Sequence, residues 1–413
     1  MSSGRDGSVG EALESAFRAD RGRVLARLIG ILNDFDLAEE ALQDAYVAAT
    51  QAWESGIPDN PAGWLVTTAR RKALDRLRRA SAADRRHRAW GELAIAWGPQ
   101  DSVGPIIDDR LRLIFTCCHP ALPLEARIAL TLRSLGGLST AEVAQAFLIS
   151  EPAVAQRIVR AKRKIRQAGI AYRVPAPAEF PDRLGAVLTV IYLIFNAGYL
   201  ATSGEELVKV DLCDEGLRLA GVLVELLPDE PEPLGLAALL HFQDSRRLAR
   251  TGSYGHPLTL EEQDRSRWDA AKIAAGTVLL ERAERLAKPG PHQIKAAIGA
   301  VHATTREARL TDWPAIVRLY DRLLYWEPTP VVQLNRAVAV AMAEGPSVGL
   351  ALLDDAAVAE ELAEYHLYHM TRADLLRRLD RRDDAVVAYR LAWQQTDNSA
   401  ERRFIDRRLA ELG

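Results

Sequence analysis

Hydrophobic and polar positions across residues 137–167 predict two helices joined by a short turn. Ser139 and Glu142 fit a capping box, in which the hydroxyl and the carboxylate satisfy free N–H groups at a helix start. A turn at Leu148–Ile149 follows, and Ser150 has the residue type that caps a second helix. Two helices with so short a connection are typical of a helix-turn-helix.

The second of these helices separates into an apolar and a cationic face. Apolar residues recur at i, i+4, i+7 and i+11, which is the stripe needed to dock on the first helix. They are Val154, Ile158, Ala161 and Ile165. The other face suits base edges near the helix start and phosphates further along. It carries Ala153, Gln156, Arg157, Arg160, Arg163, Lys164 and Gln167. A solvated cationic surface would have the same pattern, but the capped helix before the turn favours DNA.

A second cationic helix is predicted after the break at Asp59–Pro61. Its apolar face carries Leu65, Val66, Ala69, Ala73 and Leu77. Its other face carries Arg71, Lys72, Asp75, Arg76, Arg78 and Arg79, and Trp64 and Thr68 project on this basic side. An aromatic ring beside arginine and lysine can stack a base and neutralise phosphates, as a single-stranded nucleic acid site requires. The alternative for Trp64 is packing under a neighbouring loop.

The helix predicted upstream, LAEEALQDAYVAATQAW, is amphipathic and acidic. Its expected core contacts are Ala38, Ala41, Leu42, Ala45, Val47 and Ala49. Its expected exposed face carries Glu39, Glu40, Gln43 and Asp44. This face is either solvated or a docking surface for a protein partner, and composition alone leaves both open.

Composition predicts an all-α protein of two to three domains. The 413 residues are 48% hydrophobic and only 6% aromatic. Residues 1–173 carry a charge balance of +5, and the remainder a balance of −8. A basic front and an acidic back indicate that only the front touches nucleic acid.

Neither disulfides nor a membrane segment is expected. The chain has three cysteines, too few and too oddly spaced for a disulfide framework. Cys117-Cys118-His119 lacks a second ligand pair, so buried small side chains are favoured over a metal site. The N-terminus lacks the apolar core of a signal peptide, and the run Leu184–Phe195 is too short to span a bilayer. A cytoplasmic protein that contacts no membrane is therefore expected.

Beyond the Pro-rich VPAPAEFP, residues 183–411 show successive helical patterns, among them 262–287 and 358–379. Several pair at tetratricopeptide length, and Ala385, Tyr389 and Ala392 fit the small–aromatic–small pattern of such a repeat. Stacked helix pairs leave a concave surface for a peptide or another domain. His366 and His369, near Glu361 and Glu364, could hold a metal, but structural or surface histidines are commoner. We expect no catalytic residues, no metal, no cofactor and no enzymatic activity.

Four features in this order make residues 11–170 resemble bacterial sigma factors of the extracytoplasmic-function (ECF) type, in the sigma-70 family. They are the acidic helix, NPAGWLVTTARRKALDRLRR, a linker, and LSTAEVAQAFLISEPAVAQRIVRAKRKI. DDRLRLIFTCCHPALP and VLTVIYLIFNAGY are similar to the subgroup with a long C-terminal helical-repeat extension. One departure is Leu148, where the turn of the family usually has glycine.

The resemblance implies a division of labour along the chain. Residues 9–80 would form a region 2-like domain for core RNA polymerase and the melted −10 element. Residues 81–107 would be a linker, 108–173 a region 4-like domain for the duplex −35 element, and 182–413 a tetratricopeptide-like regulatory domain. The polymerase contacts would be Leu37, Glu39, Glu40, Gln43 and Asp44. The −10 contacts would be Trp64, Arg70, Arg71, Lys72, Asp75, Arg76, Arg78 and Arg79. The −35 contacts would be Ala153, Gln156, Arg157, Arg160, Arg163 and Lys164.

Two functions from different classes remain open on the sequence. The first is a sigma factor that initiates transcription and is regulated by its fused extension. The second is a helix-turn-helix activator that binds duplex DNA alone and uses the repeats as a sensor. An activator has no need of an aromatic and basic single-strand site, which favours the first. The acidic extension is also expected to make an intramolecular contact with the basic front half when polymerase is absent.

Overall fold

The computed structural model describes residues 20–83, 106–147, 149–199, 203–204, 210–252 and 257–413. These residues are helical almost throughout, which confirms the all-α prediction. They fall into two compact units, residues 1–190 and 191–413. Most of the predicted linker, residues 84–105, and the turn residue Leu148 lie outside the described residues.

Eight helices of the described residues begin in the first unit. They are α1 (20–32), α2 (Phe35–Ala52), α3 (Pro61–Ala83), α4 (Ile106–Cys117), α5 (Leu124–Ser134), α6 (Thr140–Phe147), α7 (Glu151–Gln167) and α8 (Phe180–Tyr199). A left-handed Asn33, with φ of 49°, ends α1. The Asp34 carboxylate then caps α2 by accepting from the backbone N–H groups of Asp36 (2.8 Å) and Leu37 (3.0 Å).

Helices α1, α2 and α3 pack through small and branched side chains. Leu25, Leu28, Leu42 and Leu65 are almost completely buried. The expected core position of Val47 is wrong, because its side chain is 67% exposed. The buried stripe of α2 is Ala38, Ala41, Leu42, Ala45 and Ala49. Val47 lies two residues after Ala45, which at 100° per residue points its side chain away from that stripe.

The predicted helix-turn-helix is present as α6 and α7. Ser139 and Glu142 form the capping box, with Ser139 N–H donating to Glu142 Oε2 (2.6 Å) and Glu142 N–H to Ser139 Oγ (3.1 Å). Ser150 precedes α7, but its hydroxyl makes no capping hydrogen bond. The predicted stripe of α7 is buried, and α7 packs on both α5 and α6.

Cys117 and Cys118, at the end of α4, are buried as expected. Cys118 Sγ lies 3.5 Å from Thr131 Oγ1, and burial raises the pKa of the Cys118 thiol to about 11. Both cysteines are therefore neutral, unpaired core side chains at physiological pH.

Helix α8 is longer than its apolar run indicates. It spans 20 residues, and among the described residues it is the one helix long and apolar enough to cross a bilayer. The run Leu184–Phe195, too short by itself, is thus part of a longer helix. Leu184, Val187, Leu188 and Ile194 on it are at most 6% exposed inside the protein, as in a core helix.

The second unit continues from α8 as a succession of helices, most of which pack on a neighbour in the chain. They are α9 (Val210–Leu226), α10 (Pro231–Asp244), α11 (Ala270–Arg285), α12 (Pro291–Thr304), α13 (Trp313–Trp326), α14 (Pro330–Glu344), α15 (Pro346–Leu353), α16 (Ala356–Glu361), α17 (His366–Arg378), α18 (Arg382–Gln395) and α19 (Ser399–Leu412). Two-residue strands β1 (Ser203–Gly204) and β2 (Asp397–Asn398) pair in parallel.

Two predicted helices of this unit are shorter than their patterns. The segment 262–287 becomes helical only at Ala270, because the Asp269 carboxylate accepts from Lys272 N–H (3.1 Å) and sets the helix start. The segment 358–379 is interrupted, since α16 ends at Glu361 and α17 begins at His366. Ala385, Tyr389 and Ala392 are buried as expected. The tetratricopeptide assignment and the proposed domain bounds stay predictions.

Candidate nucleic-acid and polymerase interface

The outer face of α7 presents open cations. Arg160, Arg163 and Lys164 are exposed and Arg157 is half-buried. Within the described part of the chain, none of these four side chains forms an ion pair or a hydrogen bond. Gln156 is exposed and Ala153 half-buried nearer the helix start. We call Arg157, Arg160, Arg163 and Lys164 the open edge of α7.

This open edge lines a concavity of about 470 Å³ beside the beginning of α5. The opposite wall contains Ala121, Pro123, Glu125 and Ala126. No side chain caps α5 at Pro123, so its first N–H groups add partial positive charge to that of the four cations. The same wall carries the Glu125 carboxylate in the first turn of α5, so the positive charge of the concavity comes mainly from the open edge of α7.

The other edge of α7 is already occupied by α2. Lys162 is only 8% exposed, and its Nζ lies 2.9 Å from Asp36 Oδ1 and 3.0 Å from Glu39 Oε2. Arg166 Nη2 lies 3.1 Å from Asp36 Oδ2. We call Lys162 and Arg166 with their two acidic partners the α2–α7 contact. Sequence reasoning missed it, although Lys162 directly follows Ala161 of the buried stripe, where a long side chain can reach a neighbouring helix.

Further bonds join α1 to α4 and to the segment that follows α7, within the first unit. Tyr172 Oη donates to the backbone oxygens of Ala26 (2.7 Å) and Asp109 (3.1 Å). Arg27 Nη1 lies 2.9 Å from the buried Asp109 carboxylate. The α2–α7 contact therefore belongs to a wider polar interface and is supported by side chains on either side of it.

The predicted −10 contacts on α3 divide into open and engaged cations. Arg71 and Lys72 are exposed and have no ion pair among the described residues. Arg76 instead pairs with Glu40 (2.5 Å) and Asp44 (2.8 Å) of α2. Arg70 is half-buried, and Arg78 lies 3.6 Å from Asp75. The side chain of Arg79 lies outside the described residues.

Trp64 is partly covered by a neighbouring aromatic ring. The ring is half-buried and meets Trp53 edge-on, with 5.7 Å between centroids and 68° between planes. Trp53 is 1% exposed, so it fixes one side of Trp64 in the core. Trp64 therefore packs on a buried aromatic ring, and its remaining surface lies on the helix that carries Arg71 and Lys72.

The predicted polymerase-binding face of α2 is less open than expected. Gln43 and Glu40 are exposed and Leu37 is half-buried. The Glu39 side chain is only 14% exposed, because Lys162 lies against it. The expectation of an exposed Glu39 is therefore wrong, and Asp44 is partly covered by Arg76.

The residues considered for metal binding do not come together. The described residues contain no group of three or more His, Cys, Asp or Glu side chains that could hold a metal. His366 Nε2 lies 3.1 Å from Glu401 Oε2, and His369 Nε2 lies 2.7 Å from the Ala363 carbonyl oxygen.

Three family models match the chain. Residues 16–83, which include α2 and α3, match Sigma-70 region 2. Residues 112–165, which include most of the helix-turn-helix, match Sigma-70 region 4. Residues 183–284 match a family of unknown function.

Of three curated relatives, two cover less than half of the chain and one covers almost all of it. The ECF RNA polymerase sigma factor SigK of Mycobacterium sp. (strain KMS) is 32% identical over 143 residues, covering 33% of this chain and 71% of the relative. The probable ECF RNA polymerase sigma factor SigI of Mycobacterium tuberculosis (strain H37Rv) is 28% identical over 172 residues, covering 40% of this chain and 58% of the relative. An uncharacterized protein of Rhizobium meliloti (strain 1021) is 40% identical over 410 residues, covering 97% of this chain and 96% of the relative.

Proposed function

Because this chain belongs to the ECF RNA polymerase sigma factors, we propose that it directs RNA polymerase to its promoters by holding the DNA at two places. The helix-turn-helix would bind the upstream element as duplex, and α3 would bind the downstream element as a separated strand. The open edge of α7 carries this proposal, because four cations there have no partner among the described residues.

The −35 element is assigned to α7. Ala153 and Gln156 lie near its beginning, where the recognition helix of a helix-turn-helix meets base edges. Arg157, Arg160, Arg163 and Lys164 follow along the concavity beside α5, where a DNA backbone would meet both the cations and the α5 amides. Base contacts would each contribute about 1–3 kcal/mol of discrimination, and the phosphate contacts would set the salt dependence.

The melted −10 element is assigned to α3. Trp64 would offer its exposed ring surface to an unstacked base, and Arg71 and Lys72 would neutralise the adjoining phosphates. Arg76 would have a different role from the one expected, because Glu40 and Asp44 already hold its guanidinium. We assign it to positioning α3 against α2.

The polymerase is assigned to α2, through Leu37, Glu39, Glu40, Gln43 and Asp44. Glu39 is covered by the α2–α7 contact. Docking of this part of α2 would therefore require α7 to move away, which also frees Lys162 and Arg166. Such a movement would separate the two DNA-binding helices for a promoter whose elements lie apart.

The extension is assigned a regulatory role. Its acidic balance of −8 complements the +5 of the front half, so that free protein would keep its basic helices covered until polymerase binds. Hydrogen exchange of the full chain and of a chain ending at Val190 would test this. Equal protection of residues 61–79 and 151–167 in both proteins would contradict it.

The sigma assignment is tested by run-off transcription. Purified full-length protein and core polymerase would transcribe fragmented genomic DNA, and the 5′ ends of the products would be sequenced. We expect initiation at a limited set of sites that share two sequence elements. Absence of specific starts, with a known sigma factor active in the same assay, would contradict the proposal.

A further inference from the structure

The second unit contains a half-open cavity of about 270 Å³. Its walls come from α13, α14, α17, α18 and α19, and most of them are apolar. The residues that matter here are Trp313, Val338, Met342, Leu367, Met370 and Phe404. An apolar cavity of about 150 Å³ suffices for benzene. This cavity therefore has room for an apolar group larger than one aromatic ring.

One end of the cavity carries a fixed guanidinium group. Arg378 Nε donates to Asp374 Oδ2 (2.7 Å), and Asp374 Oδ1 accepts from Arg377 Nη2 (2.6 Å). Burial opposes ionisation of Asp374, but the hydrogen bond from Arg377 and the charge of Arg378 leave its pKa below the usual value. Asp374 thus stays charged and orients Arg378, which turns its two terminal nitrogens to a second carboxylate.

That second carboxylate is Glu261. Arg378 Nη2 lies 2.6 Å from Glu261 Oε2, and Nη1 lies 3.5 Å from Glu261 Oε1. The guanidinium fork thus holds Glu261 through one short bond from Nη2, whereas Nη1 lies equally far, 3.5 Å, from Met342 Sδ. Glu261 lies on a loop rather than on a helix, and its side chain is 43% exposed. It is therefore the replaceable partner, whereas Asp374 is held from two sides.

The loop has an anchor that does not depend on Glu261. Glu262 Oε2 accepts from Thr259 N–H (2.9 Å), and its Oε1 accepts from Arg408 Nη2 (2.8 Å). When Glu261 leaves Arg378, this neighbouring pair keeps the loop attached to α19. A ligand can thus exchange with one side chain without unfolding the cavity wall.

We propose that this cavity binds a small amphipathic carboxylic acid, whose carboxylate replaces that of Glu261 on Arg378 and whose apolar chain fills the space between the helices. The exchange leaves Arg378 paired with the same number of carboxylates, and the displaced Glu261 side chain, already partly exposed, enters solvent. Removal of the apolar chain from water supplies the gain in affinity. A linear or aromatic acid of medium length fits the cavity volume, and a chain terminus of a peptide shares the same chemistry.

The direct test is calorimetric titration of the full chain with butanoate, hexanoate and octanoate. Each added methylene should tighten binding about threefold to fourfold until the cavity is filled. Octanamide, which has the same chain without the charge, should bind at least tenfold more weakly than octanoate. Equal binding of octanoate and octanamide would overturn the role of Arg378.

Variants separate the proposal from simple apolar adsorption. Glu261→Gln removes the competing carboxylate, so octanoate should bind about fivefold or more tightly to it. Arg378→Lys keeps the charge but loses the fork, and should weaken octanoate binding at least tenfold. Glu307→Gln, which removes a comparable exposed ion pair with Arg309, serves as the matched control and should change nothing. Unchanged or weaker binding to Glu261→Gln would overturn the proposal.

Titration with an acetylated tripeptide ending in a free leucine carboxylate distinguishes a peptide terminus from a small acid as the ligand. Octanoate should bind more tightly than this peptide, because only the acid places a continuous chain along the cavity. Octanoate should also increase hydrogen exchange of residues 257–261. Tighter binding of the peptide, or exchange that does not change, would contradict a small-molecule site.

Discussion

The two cationic helices of the first unit differ in which of their charges are available. On α7, the open edge has no partner in the described residues, and only Lys162 and Arg166 are held by α2. On α3, Arg76 is held by α2, and Trp64 rests on Trp53. By amino-acid composition the two helices are alike, since each carries several arginines and lysines on one face. The position of each cation relative to the carboxylates of α2 decides which ones remain free for DNA.

Helix α2 is therefore the element that both cationic helices share. Glu40 and Asp44 pair with α3, whereas Asp36 and Glu39 pair with α7. The α3 pairs lie within one small bundle and can persist when polymerase binds. The α7 pairs join the bundle to the helix-turn-helix and are the ones expected to break.

The largest expected effect comes from removing the open edge of α7. Arg160→Ala, Arg163→Ala and Lys164→Ala together should weaken duplex promoter binding by the holoenzyme on the order of 100-fold or more at physiological salt. The slope of log affinity against log salt should fall by about three. Filter binding at several salt concentrations measures both. Arg390→Ala, an exposed arginine on α18, is the control, and equal losses for both proteins would contradict the role of the open edge.

Adjacent residues test the orientation of α7. Ile158 is 6% exposed and Val159 is 63% exposed. Ile158→Ala should lower the free energy of unfolding by about 2–4 kcal/mol, because it leaves a cavity against α5 and α6. Val159→Ala should change it by less than about 0.5 kcal/mol. Urea unfolding followed by circular dichroism measures both free energies. A larger loss for Val159→Ala than for Ile158→Ala would mean that α7 is rotated about its axis.

Breaking the α2–α7 contact should have a smaller effect, and it should strengthen binding to core polymerase rather than weaken binding to DNA. Lys162→Ala removes the buried cation and leaves Glu39 without its partner, so the closed arrangement loses stability. If polymerase binding needs α7 to move away, the variant should bind core enzyme more tightly, by up to about tenfold. Lys164→Ala on the open edge is the control for loss of one charge. Weaker core binding by Lys162→Ala would show that the contact assists docking.

The smallest expected effect is the pH dependence of the capping box. Hydrogen bonds from the backbone N–H and hydroxyl of Ser139 hold the pKa of Glu142 below its ordinary value. Its contribution to stability is therefore present above the unfolded-state pKa and is lost as pH falls through the lower, folded-state pKa. Wild type should lose more stability than Glu142→Gln between pH 6 and pH 3 in urea unfolding. Parallel pH curves would exclude this contribution.

The helix-turn-helix could be predicted from local sequence patterns. The ion pairs between residues far apart in the chain could not. The capping box of α6 and the buried stripe of α7 each depend on residues within about three helical turns, so their spacing is visible in the chain. Lys162 and Asp36 are 126 positions apart, and each has the composition of a surface residue. Nothing local indicates that they meet, and for the same reason Glu39 was expected to be exposed.

The ends of the helices were also harder to predict than the helices themselves. Periodicity extended the helix at 262–287 too far, since Asp269 ends the preceding loop with a cap that the apolar pattern does not reveal. No local pattern reveals the cavity around Arg378 either, because it combines a loop carboxylate with side chains from five helices. Only the packed chain brings these residues together.

The central claim is that α7 binds duplex DNA and α3 binds a separated strand. Holoenzyme binding should be measured with two probes, a duplex carrying the upstream element and a single-stranded oligonucleotide carrying the downstream element. We expect the triple variant of the open edge to lose only the duplex, and Trp64→Ala with Lys72→Ala to lose only the single strand. Equal loss of both probes by both variants, or no loss of the single strand from α3, would contradict the account.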